Sequence, residues 1–145
     1  MTPRVFIDSS VLFSAANSAT GHSRDLLVMG VNQEITIVLS SYVLQETIRN
    51  LAQLKQPPLL EFEERLSNAK PEFVEADRQA VLEAGSLIVF KDAPIIAAAK
   101  IAKVDMLVSL DRNRKHILGK PKLETYIHAP ILTPIEAFQR LKAAK

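Results

Sequence analysis

The chain has 145 residues, 48% of them hydrophobic and 23% charged, which excludes a disordered or fibrous protein and fits one globular domain, 1–145, with a core of its own. It has no cysteine, which removes disulfides and thiolate ligands and suits the reducing cytoplasm, and its three histidines lie too far apart for a zinc-type spacing. A net charge of +2 with a pI near 9.0 permits a nucleic-acid partner without requiring one; no apolar run nears the ~20 residues of a membrane helix, and a strand beginning almost at Met1 leaves no room for a signal peptide.

Arg4–Ile7 reads as a buried strand, followed by a short helix over Val11–Asn17 and another over His22–Gly30 that Gly30 can end. Glu34–Leu39, rich in Ile, Thr and Val, is the second strand. Ser40 or Ser41 can cap the helix Tyr42–Leu54, whose Leu44, Ile48 and Leu51 keep helical spacing until Pro57-Pro58 stops it. Leu59–Ala69 is a further helix with Leu59, Phe62 and Leu66 on one face; Glu72–Val74 is a short strand and Ala76–Ala84 a helix ended by Gly85. Leu87–Phe90 is apolar and reads as a strand. Asp92-Ala93-Pro94 opens an alanine-rich helix to about Lys103, slim enough to lie close to a sheet. Met106–Leu110 is a strand, Asp111–Leu118 holds at most a short helix, and Pro130–Leu132 is the last strand. Thr133-Pro134-Ile135-Glu136 has a capping-box pattern ahead of a final helix, Ile135–Leu141. Strands alternating with helices predict an α/β fold with a mostly parallel sheet covered on both faces.

Four acids fall where strand or helix ends can bring them into one crevice. Asp8 and Asp111 each follow an apolar strand, Asp92 starts a helix, and Glu46 lies one turn into the helix after the second strand. Parallel strands gather their carboxyl ends on one edge of the sheet. Carboxylates held that close repel unless a hard cation such as Mg²⁺ or Mn²⁺ neutralises them. Singly, Asp92 and Asp111 read as helix caps, and Glu46 as a solvated partner of Arg49. Asp8, between Val5-Phe6-Ile7 and Val11-Leu12-Phe13, does not fit a solvated role, and the joint placement of all four favours a site.

These residues resemble the PIN domain family over nearly the whole chain. Val5-Phe6-Ile7-Asp8-Ser9-Ser10-Val11-Leu12 is similar to the first family motif. Ser40-Tyr42-Val43-Leu44-Gln45-Glu46 is similar to the segment with the second acid, Lys91-Asp92-Ala93-Pro94-Ile95-Ile96-Ala97-Ala98-Ala99 to the third, and Val104-Asp105-Met106-Leu107-Val108-Ser109-Leu110-Asp111 to the fourth. Each is short, but four in order at plausible spacings are specific. The resemblance implies a three-layer α/β/α fold and a Mg²⁺- or Mn²⁺-dependent ribonuclease, often the toxin of a toxin–antitoxin pair. It makes Asp8, Glu46, Asp92 and Asp111 metal ligands and catalytic residues, with Ser9, Ser109 and Asn113 in support, and puts Asp105 outside the metal centre as a turn or cap residue. Ser10 stands where the family commonly has Asn, and Asn113 where many members carry a further acid, which points to one firmly bound ion.

RNA also needs cations for its phosphates: Lys91, Arg112, Arg114 and Lys115, with His116 beside them, are the candidates, each equally readable as part of a solvated basic loop. Aromatics are only 6%, so no base-stacking module names a preferred RNA sequence. The apolar stripes of helices 42–54 and 59–69 belong to the core, or else to a homodimer face or a groove for an antitoxin helix. The rivals are a response-regulator-like domain, which gives Glu46 no reason; a dehalogenase-like domain, which wants Asp where Ser10 stands; a catalytically silent PIN-fold binding module; and an RNA-processing nuclease without an antitoxin.

Overall fold

The computed structural model describes residues 2–110 and 117–144. Five strands form one parallel sheet in the order β3-β2-β1-β4-β5: β1 (Arg4–Ile7), β2 (Thr36–Leu39), β3 (Glu72–Phe73), β4 (Met106–Val108) and β5 (Ile131–Leu132). β1, β2 and β4 are buried almost throughout, as their unbroken apolar runs require of strands covered on both faces. β3, at one edge, is two exposed residues long, too short to invite further pairing.

The helices among the described residues are α1 (Ser9–Asn17), α2 (His22–Val31), α3 (Ser41–Ala52), α4 (Leu59–Ala69), α5 (Arg78–Ala84), α6 (Ala93–Ala102), α7 (Pro121–Ile127) and α8 (Pro134–Ala143). α2 packs on α1, α4 and α8, while α5, α6 and α7 form a second set; with the sheet between them this is the three-layer α/β/α arrangement. In α6, Ala93, Ala97, Ala98, Ala99 and Ala102 are all buried, so the small side chains do bring this helix close. The apolar stripe of α4 is core, through Phe62, Leu66 and Ala69. In α3 the buried face is Val43, Thr47 and Leu51, one residue round from the spacing read off Leu44 and Ile48.

Local signals set most boundaries. Ser40 caps α3 through Val43 N, Asp77 caps α5, and Thr133 with Glu136 completes the capping box of α8. Two expectations change. Leu87–Phe90 is not a strand: the chain turns from α5 into a 3₁₀ turn, Phe90–Asp92, with Leu87, Val89 and Phe90 41%, 51% and 68% exposed. Hydrophobicity alone suggested a strand there, but the segment pairs with neither edge of the sheet. α7 was missed, although Pro121 at its first turn and buried Leu123 and Ile127 four residues apart are helix signals. Most of the segment Asp111–Leu118, and with it Asp111, Arg112, Asn113, Arg114 and Lys115, lies outside the described residues.

Candidate functional site

The chain runs from β1 outward through β2 to β3, then returns to add β4 and β5 on the other side of β1. The order reverses between β1 and β4, and at such a switch point two connections leave in opposite directions and open a crevice beyond the carboxyl ends. Asp8 is the first residue beyond β1 at this point, and its amide still donates to Val108 O of β4 (3.2 Å).

Asp8 is 4% exposed. Its Oδ1 accepts from Ser10 Oγ (2.6 Å) and from Val11 N (3.2 Å), so the carboxyl also caps α1. Burial pushes its pKa up from 3.8 to about 6, against hydrogen bonds from Ser10, Ser109 and the Val11 amide that favour the anion. Among the described residues no cation pairs with it. Ser10 Oγ also accepts from Leu110 N (3.0 Å), stitching the end of β1 to the end of β4, and Ser109 is fully buried beneath. Ser10, which stands where the family commonly has Asn, thus supports the site locally, and its bridging role depends on which strands are neighbours.

Glu46, half-buried on α3, accepts a hydrogen bond from Ser9 Oγ, which joins it to the residue next to Asp8; no ion pair with Arg49 forms among the described residues. Asp92 occupies the N-cap position of α6 without a capping hydrogen bond from its side chain. Between these two acids stands Tyr42, which sequence reasoning passed over. Its Oη donates to Lys91 O (3.0 Å). Its pKa is raised, first by burial and then by the negative charges of Glu46 and Asp92, so both carboxylates lie in its surroundings. Lys91 is exposed. Asp105 lies at the opposite end of the strands, where Oδ2 accepts from Arg4 N (2.7 Å), a structural clasp remote from Asp8.

Glu46 is thus bonded to the residue next to Asp8, and Tyr42 lies near both Glu46 and Asp92. Among the described residues no three acidic or histidine side chains are grouped closely enough to hold a metal ion, and Asp111 lies outside them. The chemistry of the donors nevertheless suits a hard cation: they are carboxylate oxygens, and buried Asp8 is an anion in want of positive charge.

A family model described as PIN domain matches residues 4–113. The chain belongs to the PIN domain family. Among solved structures it is similar to PAE2754 from Pyrobaculum aerophilum, with 19% identity and a TM-score of 0.64 over 99% of each chain. It is also similar to FitAB in a complex with an IR36 DNA fragment, with 14% identity and a TM-score of 0.59 over 90% of this chain and 94% of that one. At these identities the likeness is one of fold. No functionally curated protein gives a significant match.

Proposed function

We propose that this chain, as one domain, is a Mg²⁺- or Mn²⁺-dependent endoribonuclease acting in the cytoplasm as the toxin of a toxin–antitoxin pair. The observation that carries the reading is buried Asp8, with no cation paired to it among the described residues, at the switch point of a PIN-family sheet, with Glu46 bonded to the neighbouring Ser9. Asp8, Glu46, Asp92 and Asp111 would hold the ion. A bound divalent ion supplies charge neutralisation and Lewis acidity toward water and the phosphodiester.

The protein groups do the positioning. Ser10 Oγ and the Val11 amide fix one oxygen of Asp8, and Ser109 adds a further hydrogen bond to the carboxylate. Ser9 aims Glu46. Lys91, exposed next to Asp92, would take a substrate phosphate together with Arg112, Arg114 and Lys115. Asn113 adds an amide that can support the ion's water shell without adding charge.

Purified protein should cut single-stranded RNA with Mg²⁺ or Mn²⁺ and stop in EDTA; undiminished cleavage in chelator ends the metal mechanism. The rival reading, a silent binding module, is favoured by the lack of a three-ligand group among the described residues. It calls for RNA binding with no cleavage in either ion. The toxin reading leans on family membership and on the fold shared with FitAB, a protein captured on DNA. An antitoxin would lay a helix or extended segment over the groove near Asp8 and put a basic residue among the acids.

A further inference from the structure

We propose that Tyr42 is a positioning residue of this site: its phenol ties the helix carrying Glu46 to the turn delivering Asp92, and so sets the spacing of the two carboxylates. The proposal rests on the metal-site reading above. Tyr42 and Glu46 are four residues apart on α3 and share one face, a turn apart. The phenol reaches 49 residues along the chain to the carbonyl of Lys91, inside the 3₁₀ turn that ends at Asp92. Leu87, Val89 and Phe90 face solvent, while Ile88 packs against the core and Ala93 is fully buried, so packing holds the inner side of the turn and the phenol adds a hydrogen bond at Lys91. Asp92 N donates to Val89 O (3.0 Å), which shapes the turn. α3 packs chiefly on α1 and touches α6 only lightly, so the Tyr42–Lys91 bond reaches across a sparse contact. A hydroxyl at this position acts on the metal through Glu46 and Asp92, as outer hydrogen bonds act on the ligands they orient.

The test is Tyr42→Phe, which keeps the ring and deletes the donor. Mn²⁺ binding is followed by calorimetry or electron paramagnetic resonance, beside RNA cleavage and thermal melts, in the full-length protein. Tyr42→Phe should melt within a few degrees of wild type, bind Mn²⁺ about tenfold more weakly, and lose about tenfold in kcat with KM for RNA nearly unchanged. Wild-type Mn²⁺ affinity in Tyr42→Phe overturns the proposal, whether or not the variant is less stable, and leaves the nuclease reading standing. A wild-type protein that neither binds Mn²⁺ nor cleaves RNA overturns the site reading itself, and this proposal with it.

Discussion

With one oxygen taken by Ser10 and the Val11 amide and little water within reach, Asp8 gives up its proton only near pH 6. Because the folded pKa lies above the ordinary value of 3.8, folding favours the neutral acid. In metal-free protein its contribution to stability is therefore complete below about pH 4 and is lost as the pH rises through 6. The shift corresponds to at most about 3 kcal/mol. Asp8→Asn in EDTA should raise the urea midpoint clearly at pH 8 and hardly at pH 4; an equal change at both would show that ionisation of Asp8 is not what strains the fold. With Mg²⁺ present the same variant should lose activity by two orders of magnitude or more, since the removed charge is the one the ion needs. Ser10→Ala deletes the hydrogen bond to Asp8 and the one from Leu110 N. It should cost about 1–3 kcal/mol in equilibrium unfolding, and carboxyl-labelled NMR should show Asp8 titrating higher still, because a bond favouring its anion is gone.

Elements are held to the sheet by contacts of very different tolerance. Gly30 in α2 sits against β2 so closely that an added Cβ would lie 2.4 Å from Ile37 Cδ1 and 2.9 Å from its Cγ1. Gly30→Ala gains about 1 kcal/mol in helix propensity but overpacks a fully buried contact, at a cost of about 1–3 kcal/mol. The net should be a lower melting temperature, partly rescued by Ile37→Val, which removes the nearer atom; additive effects in the double mutant would show that the two sites do not touch. At α8 the capping box is the test of local sequence. Thr133→Ala removes the acceptor for Glu136 N and should lower stability by about 1 kcal/mol without touching the site. The turn before α6 is the contrasting case, with Leu87, Val89 and Phe90 exposed, Ile88 packed on the core and one hydrogen bond from α3 to Lys91 O.

For the whole molecule, the strand order turns separate segments into one edge: β1 and β4 are neighbours 100 residues apart, joined at their ends by Ser10 and Leu110. A toxin built on that edge should arrest growth when expressed without its partner, and Asp92→Asn should relieve the arrest. Active nuclease made in its native host with no growth cost would remove the toxin role and leave the nuclease intact. No helix among the described residues is long and apolar enough to cross a membrane.

The sequence by itself determined the elements whose causes are local. β1 and α4 fall at the residues read from periodicity and Pro or Gly punctuation, and the cap at Ser40 and the capping box at Thr133 follow from side chains that bond their own neighbours. It also marked Asp8 as unusual, because a carboxylate between two apolar runs must be buried or used. The PIN family was legible too, since its motifs are short and ordered along the chain. Tertiary structure decided what depends on neighbours far apart in sequence. Leu87–Phe90 had the hydrophobicity of a strand, but a strand needs a partner beside it, and this segment leads from α5 into a turn instead. Ser10 and Tyr42 looked ordinary, because a hydroxyl's importance lies in the group it reaches, 100 and 49 residues away, and only the order of the strands and the packing of α3 brought those groups within hydrogen-bond range.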